Sequence, residues 1–349
     1  MQKPRNIIFI ANMLALFAGS VGLFITAPLA RAQLNVVPDP VQYLVSPEAP
    51  EPGQNVTIIA QGVGGFLGNA TITWTKDGKV ALTGIGESSF SFTAGALGTQ
   101  TRVQVRIVSS SQGTITHDFT FLPSLVNLIW EADTTVPPLY RGKSLYSAGS
   151  NIKVVAFPTI IVNGVRVASN SLTMQWSLQD EPMTSQSGLG RTSLSFAGDQ
   201  LQTQEVVGVD VYYGANKVAR GETTIPASQP LMLLYAKDPL RGVLYDSALP
   251  SAVSLNAKEL TIQAAPYFFS NSSLKNRALV YSWTLNDEEV TGPDSAKGIL
   301  TLRQAGVGQG AAVVGVTLQN NESDKFVQTA SAVLQLVFGQ SSGTSLFGL

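Results

Sequence analysis

The run Thr71-Ile72-Thr73-Trp74-Thr75-Lys76-Asp77-Gly78 alternates apolar and polar side chains and then ends in a polar turn. Alternation with a period of two is typical of a β-strand with one buried face, and it places Ile72 on the same face as Trp74. An Asp-Gly pair after such a strand favours a two-residue hairpin turn. This stretch therefore predicts a core strand that carries a buried tryptophan and folds back as a hairpin.

The same pattern recurs twice along the chain. Thr173-Met174-Gln175-Trp176 precedes Gln179-Asp180-Glu181, and Val280-Tyr281-Ser282-Trp283 precedes Asn286-Asp287-Glu288. The three tryptophans are thus separated by about one hundred residues, which is the size of one β-sandwich domain. We predict an all-β chain of three tandem sandwiches, with Trp74, Trp176 and Trp283 in their cores.

Further alternating segments flank each tryptophan at similar distances and give the same strand order in each unit. They lie at 56–60, 89–92 and 103–107 in the first unit, at 152–156, 193–196 and 207–211 in the second, and at 260–264, 299–302 and 314–318 in the third. The predicted division is a signal peptide over 1–32, domains over 33–122, 123–228 and 229–338, and a flexible tail over 339–349.

The N-terminal segment has the features of an export signal. Lys3 and Arg5 give a positive start, residues 7–29 contain no charged side chain, and Ala30-Arg31-Ala32 offers small residues before Gln33. This order is typical of a cleaved signal peptide, although the uncharged run is also long enough for an uncleaved membrane anchor. We expect an exported protein that is periplasmic, cell-surface or extracellular, with no membrane span after the signal.

The composition excludes several classes of function. The chain has no cysteine, so disulfides and thiolate metal sites are excluded. The formal net charge is -1, with charged residues at only 13% of the chain, so no strong field favours nucleic acid as a partner. His117 is the single histidine, and no nucleophile motif accompanies it. We therefore expect no enzyme activity and no cofactor.

Acidic turns after the second and third tryptophans are the remaining candidates for chemistry. Asp180-Glu181 and Asp287-Glu288-Glu289 could in principle supply a catalytic carboxylate pair or calcium ligands. No alternating acidic ligand pattern surrounds them, so a solvated hairpin turn is the favoured interpretation.

Part of the chain resembles a known group of domains. Residues 50–58, Pro-Glu-Pro-Gly-Gln-Asn-Val-Thr-Ile, together with Trp74-Thr75-Lys76-Asp77-Gly78 and Phe90-Ser91-Phe92, are similar to bacterial Ig-like and PKD-like surface domains. The resemblance covers residues 35–338 as three units. It implies tandem Ig-like sandwiches, which serve as spacers, adhesins, carbohydrate-binding modules or enzyme appendages.

A related segment precedes the second strand of two units. Pro138-Leu139-Tyr140-Arg141-Gly142-Lys143-Ser144-Leu145-Tyr146 belongs to the second unit, and Pro239-Leu240-Arg241-Gly242-Val243-Leu244-Tyr245 to the third. Both are predicted to be first-connection loops at a domain end. One interpretation is a junction brace, in which Leu139, Leu145, Tyr146, Leu240, Leu244 and Tyr245 cover the end while Arg141 pairs with Asp180 and Glu181, and Arg241 with Asp287.

The alternative interpretation makes the repeated segment a ligand site, since loops on rigid sandwiches often carry function. Aromatic side chains outside obvious core positions are available for this role or for covering domain ends, and they include Tyr140, Tyr245, Tyr267, Phe268 and Phe269. The favoured function is a non-catalytic spacer or adhesive module of a bacterial envelope, with an envelope protein or a glycan as partner. A carbohydrate-binding protein is the first alternative, and a polysaccharide-active enzyme with a carboxylate pair is the second.

Overall fold

The computed structural model describes residues 39–255, 259–275, 277–306, 309–321 and 327–338. The predicted signal peptide at 1–32 and the predicted tail at 339–349 lie outside the described residues. From Pro40 onward the described residues form one compact unit. Their strands group into three successive β-sandwiches, so the predicted all-β fold of three tandem Ig-like domains is confirmed.

The first sandwich contains seven strands, β1 (Val41–Ser46), β2 (Asn55–Gly62), β3 (Thr71–Lys76), β4 (Lys79–Ile85), β5 (Ser89–Thr93), β6 (Thr101–Ser109) and β7 (Gly113–Phe121). They form a three-stranded sheet in the order β1-β2-β5 and a four-stranded sheet in the order β4-β3-β6-β7, all antiparallel. The core of this domain lies between the two sheets.

The second sandwich repeats this plan and adds short strands at its rim. Its strands are β8 (Leu125–Ala132), β9 (Asn151–Thr159), β10 (Ile161–Val162), β11 (Val165–Arg166), β12 (Thr173–Leu178), β13 (Glu181–Pro182), β14 (Gly188–Leu189), β15 (Ser193–Ala197), β16 (Gln204–Tyr213) and β17 (Asn216–Pro226). The sheets are β15-β9-β8 and β13-β12-β16-β17, with β14 also on β12 and a separate β10-β11 hairpin.

The third sandwich contains strands β18 (Leu231–Asp238), β19 (Gly242–Ala248), β20 (Ala252–Leu255), β21 (Glu259–Tyr267), β22 (Leu279–Leu285), β23 (Glu288–Val290), β24 (Ile299–Arg303), β25 (Gly310–Asn320) and β26 (Thr329–Phe338). The sheets are β19-β18-β21-β24 and β20-β26-β25-β22-β23. Strand β20 pairs with β26 in parallel, whereas the other described pairs of this domain are antiparallel.

The three tryptophans occupy equivalent places in the three cores. Trp74, Trp176 and Trp283 are at most 1% exposed. Each lies opposite a valine of the following long strand, Val105, Val209 and Val316 respectively. Each indole nitrogen donates to a backbone carbonyl 12 to 15 residues later, on Glu87, Arg191 or Ser295, at 2.8, 2.8 and 3.2 Å. The repeat therefore includes both the burial of the ring and the hydrogen bond that satisfies it.

The turns after the tryptophan strands also have the same geometry. In each, two successive residues have positive φ: Asp77 and Gly78, Gln179 and Asp180, Asn286 and Asp287. Such a pair is typical of the tight hairpin turn that matches strand twist. The acidic turns are therefore hairpins, and the described residues contain no group of three or more His, Cys, Asp or Glu that could hold a metal ion.

Within the residues that the structure describes, helical structure is limited to short segments. The described part of the chain has one α-helix, α1 (Asn271–Lys275), and 3-10 segments at Val63–Asn69, Ser169–Ser171, Thr184–Gln186 and Ser295–Lys297. None of these described helices has the length and apolar character that a membrane span requires.

Candidate functional site

The connection between β8 and β9, residues 133–150, leaves the second sandwich and lies against the third. We call it the junction loop. The amide of Thr135 donates to the carbonyl of Phe269 at 2.7 Å, and the amide of Phe268 donates back to the carbonyl of Thr135 at 2.7 Å. The amide of Phe269 also donates to the Thr135 hydroxyl at 3.0 Å. Thr134 and Ser270 complete an isolated antiparallel bridge, so the two sandwiches share a short piece of β-ladder.

A second pair of residues lengthens this ladder. The amide of Asn271 donates to the carbonyl of Asp133 at 3.1 Å. The side-chain Nδ2 of Asn271 donates to Asp133 Oδ1 at 2.7 Å. Backbone and side-chain bonds therefore run together over three consecutive residues of the junction loop.

A buried glutamine of the third sandwich also forms hydrogen bonds to the second sandwich. Gln328 is 4% exposed, and its Nε2 donates to Ser147 Oγ at 2.9 Å and to the Ala148 carbonyl at 3.0 Å. Its Oε1 accepts the amide of Ser270 at 2.8 Å. Both polar ends of the carboxamide are thus satisfied inside the junction, as buried polar groups require.

Apolar contacts flank these hydrogen bonds. Leu145 packs against a cluster of buried residues on the third sandwich that contains Tyr235, Tyr267 and Phe268. The ring of Tyr140 lies edge-on to Tyr267, at 5.6 Å between centroids, and to Phe268 at 6.3 Å. The side chains of the junction loop therefore cover an apolar patch of the third domain.

Tyr146, the next residue, is held by the second sandwich. Its ring is fully buried, and its hydroxyl donates to the Asp199 carbonyl at 2.8 Å and lies 3.1 Å from Glu205 Oε1. Burial, followed by the charge of Glu205, raises the pKa of Tyr146 well above its usual value. A Cβ at Gly198 would overlap the Tyr146 ring, so this position depends on glycine. Adjacent residues thus connect to different domains, Leu145 to the third and Tyr146 to the second.

The predicted role of Leu139 and Leu240 is wrong. Leu139 is 89% exposed and Leu240 is 96% exposed, so neither covers a domain end. Leu139 has positive φ and projects at the bend that follows Pro137 and Pro138. The leucine that packs across the junction is Leu145.

The predicted ion pairs are also wrong. Among the described residues, Arg241 pairs with Asp238 at 3.7 Å rather than with Asp287. The reason is local, because Asp238 Oδ1 accepts the backbone amides of Leu240 and Arg241 at 2.8 and 2.9 Å and so keeps its carboxylate within the turn. Those hydrogen bonds, chiefly the one from Arg241, lower the pKa of Asp238.

Arg141 behaves differently from Arg241. It forms no ion pair within the described part of the chain with Asp180 or Glu181, and instead it lines a cleft with Asp246. The charge of Asp180 acts on Arg220, whose pKa is raised first by its hydrogen bond to Glu222 and to a smaller extent by the charges of Asp210, Glu222 and Asp180.

The segment 239–245 of the third domain is a turn followed by the start of a strand rather than a loop. Leu244 and Tyr245 lie in β19, which pairs with β18 through a turn closed at Asp238 and Gly242. Gly242 has a φ of 78°, a conformation that glycine adopts without strain. The half-buried Tyr245 ring lies 5.2 Å from that of Tyr235, on the patch that the junction loop covers.

A cleft of about 570 Å³, which we call the junction cleft, opens between the junction loop and β19. Its lining is Pro137, Pro138, Leu139, Tyr140 and Arg141 from the second domain, and Val243, Leu244, Tyr245, Asp246 and Tyr267 from the third. The two related sequence segments thus form opposite walls of one site, although they do so as a loop and a strand.

A second cleft, of about 750 Å³, lies between the first and second sandwiches. Two of its charged lining residues are paired with each other, since Lys217 Nζ lies 3.6 Å from Glu48 Oε2, and Lys217 Nζ also lies 2.9 Å from Asp210 Oδ2. Tyr213 is the one aromatic ring in its lining. The junction cleft is therefore the better candidate for recognition through aromatic rings.

The residues that form hydrogen bonds across the junction were not predicted from the sequence. Thr135 and Ser147 lie between segments with clear patterns, and Gln328 immediately precedes β26, a strand that has no distinctive motif. The aromatic run Tyr267-Phe268-Phe269 is the one sequence feature that indicates an interdomain contact here. Three consecutive rings after an alternating strand cannot all face one core, so at least one of them must be covered by another part of the chain.

No family model matches the chain, and no curated protein sequence matches it. Several solved structures of tandem domains align with it at low identity. The three N-terminal domains of the bacteriophage RB49 outer capsid protein Hoc are 14% identical, cover 86% of this chain and 98% of their own, and give a TM-score of 0.24. Two further matches are the SGBP-B protein of the Bacteroides ovatus mixed-linkage glucan utilization locus, in complex with a mixed-linkage heptasaccharide, and a 1.5-MDa bacterial ice-binding adhesin.

The SGBP-B structure is 10% identical, covers 85% of this chain and 70% of its own, and gives a TM-score of 0.22. The adhesin is 11% identical, with coverages of 87% and 99% and a TM-score of 0.22. Likenesses of this size carry no information on what this chain binds.

Proposed function

We propose that this chain is a non-catalytic, exported protein of a bacterial cell envelope or surface, built from Ig-like or PKD-like domains, that acts as a stiff spacer or adhesive module. The observation that supports this function is the two-sided anchoring of the junction loop. Its backbone pairs with the third sandwich while Tyr146 is buried in the second.

Rigidity is the property that such an anchoring supplies. Neighbouring domains in one chain move relative to each other unless their interface is large and apolar or otherwise fixed. Here the direct connection between β17 and β18 is only residues 227–230, and the junction loop adds a second, distant connection. A tandem protein with this junction keeps its second and third domains at a fixed distance and angle, as a spacer requires.

Export rests on the N-terminal segment, with its positive start, uncharged run and small residues before Gln33. The absence of cysteine agrees with a chain that relies on its cores alone for stability. An envelope protein or a glycan is the expected partner, and nucleic acid is not, given the formal charge of -1.

Small-angle X-ray scattering on the full chain tests the spacer function. Leu145→Ser removes the apolar contact that Leu145 makes across the junction and should broaden the interdomain distance distribution. Leu139→Ser is the matched control, because Leu139 belongs to the same loop and is exposed. An unchanged distribution in a folded Leu145→Ser variant, verified by circular dichroism, would contradict the proposed rigid junction.

A carbohydrate-binding role is the second candidate. The observation that favours it is the concentration of tyrosine rings in the junction cleft.

A further inference from the structure

We propose that the junction cleft is a binding site for a neutral carbohydrate chain. The inference rests on the proposed function and deepens it, since one wall of the cleft is the anchored junction loop itself. Tyr140, Arg141, Tyr245 and Asp246 are the side chains assigned to contact the sugar, with the largely buried Tyr267 behind them.

The size and shape of the cleft suit a small polar ligand. At about 570 Å³ it falls within the usual range of small-molecule sites, roughly 300 to 1,000 Å³. Such sites combine apolar and aromatic walls with a few polar groups. The prolines, leucines and tyrosines of the lining supply the walls, and Arg141 and Asp246 supply the polar groups.

Tyrosine rings match the surface of a sugar. A pyranose ring has apolar C–H faces and a polar rim of hydroxyl groups, and tyrosine likewise combines an apolar ring with a hydrogen-bonding tip. Tyr140 is 39% exposed and Tyr245 is half-buried, so both present ring surface to a ligand while they rest on other aromatic side chains. Little side-chain entropy is lost when rings that are already packed bind a ligand.

The charges of the lining favour a neutral ligand. Arg141 and Asp246 carry opposite charges, and the remaining lining residues are uncharged, so the cleft has no net charge that would select an anionic or cationic polymer. The arginine can donate to hydroxyl oxygens and the aspartate can accept from hydroxyl groups. Sugar hydroxyls are both donors and acceptors, and this pair can satisfy both functions.

The position of Tyr140 depends on a glycine. A Cβ added at Gly142 would overlap the phenol ring of Tyr140. Gly142→Ala therefore displaces a ligand-contacting ring without removing any ligand-contacting group. If binding requires the observed position of the Tyr140 ring, Gly142→Ala weakens it. If any exposed aromatic ring is sufficient, Gly142→Ala leaves binding unchanged.

Affinity electrophoresis in native gels that contain hydroxyethylcellulose, galactomannan or dextran tests the proposal on the full chain. We expect at least one of these neutral polysaccharides to slow the wild type. Tyr140→Ala and Gly142→Ala should each weaken the apparent affinity at least about tenfold, as expected for loss of an aromatic anchor. Tyr213→Ala is the control, because Tyr213 is 42% exposed but lies in the other cleft.

Two further ligands are tested, and exclusive binding of either one would contradict the proposal. Polygalacturonate tests for an anionic polymer, and a fluorescent proline-rich peptide tests for a peptide groove, since aromatic grooves also accept such peptides. The proposal is overturned if no neutral polysaccharide slows the protein, if Tyr140→Ala and Tyr213→Ala behave alike, or if only the anionic polymer or the peptide binds.

The Leu145→Ser variant distinguishes the site from the rigid junction. If this variant keeps the wild-type scattering profile while Tyr140→Ala loses polysaccharide binding, the spacer function fails and the carbohydrate site stands. If Leu145→Ser broadens the distance distribution and no polysaccharide binds the wild type, the spacer function stands and the carbohydrate site fails.

Discussion

Gln328 in the third sandwich donates from Nε2 to the hydroxyl of Ser147 in the second, at 2.9 Å and across 181 residues of sequence. Both residues are buried, at 4% and 0% exposure. Because the same carboxamide also accepts the amide of Ser270, the glutamine orders both sides of the junction. This side chain makes the contact between two domains specific rather than merely apolar.

Replacing Gln328 with alanine should lower the free energy of unfolding by about 1 to 3 kcal/mol, since buried groups on Ser270 and Ser147 lose their partner. Urea denaturation measures the change. Gln104→Ala is the control, because Gln104 makes an exposed side-chain bond to Asp118 and should stay within about 0.5 kcal/mol of wild type. Equal effects of the two substitutions would show that the Gln328 bonds do not stabilise the junction.

The buried tryptophans should dominate the stability of their own domains. Trp176→Ala is expected to cost about 3 to 5 kcal/mol, from lost burial, the resulting cavity and an unpaired carbonyl on Arg191. Ile129→Ala on the outer face of β8 is the control, since Ile129 is 60% exposed. A loss below about 1 kcal/mol for Trp176→Ala in chemical denaturation would be inconsistent with the core described above.

The tandem architecture and the tryptophan cores could be predicted from sequence because they repeat. Trp74, Trp176 and Trp283 each end an alternating run and precede a turn, so local pattern and burial agree. The hairpin at Asn163-Gly164 was likewise predictable, because an Asn-Gly pair favours a turn with two positive φ angles. Both residues adopt positive φ in the structure.

The junction could be predicted only in part. Proximity to a domain end identified the 138–146 segment, but a sequence pattern does not show which of Leu139 and Leu145 turns inward. The predicted pairing of Arg241 with Asp287 fails because Asp238 closes a local turn and pairs with Arg241 there, and no motif in the sequence indicates this turn. Gln328 and Thr135 act through tertiary contacts alone, and such contacts leave no periodic signal.

Alkaline pH should destabilise the protein partly through Tyr281. Burial raises the pKa of Tyr281 to about 12 from 10.0. The folded state therefore keeps this proton while the unfolded chain releases it, so the stabilisation is complete below pH 10 and is lost between pH 10 and about 12.

Denaturation at several pH values above 9 should show a shallower loss of stability in Tyr281→Phe than in wild type. Some loss should remain, because the pKa values of Tyr146 and Tyr267 are also raised, chiefly by burial. Parallel curves for the two proteins would mean that Tyr281 titrates normally in the folded state.

Purified protein should turn over no substrate in a panel of glycans, peptides and esters. Asp180 and Asp287, the carboxylates of the enzyme alternative, lie on equivalent hairpin turns of different sandwiches and have positive φ. Turnover that is lost in Asp180→Asn or Asp287→Asn would establish catalysis and overturn the proposed non-catalytic function.

The fixed relation between the second and third domains is tested most directly by a pulsed electron paramagnetic resonance distance measurement. The chain has no cysteine, so Ser193→Cys and Ser331→Cys place one spin label on an exposed strand position of each domain. We predict a single narrow distance distribution that broadens when Leu145→Ser is added and does not broaden with Leu139→Ser. A broad distribution in the parent pair, or one that Leu145→Ser leaves unchanged, would contradict a junction held by the loop.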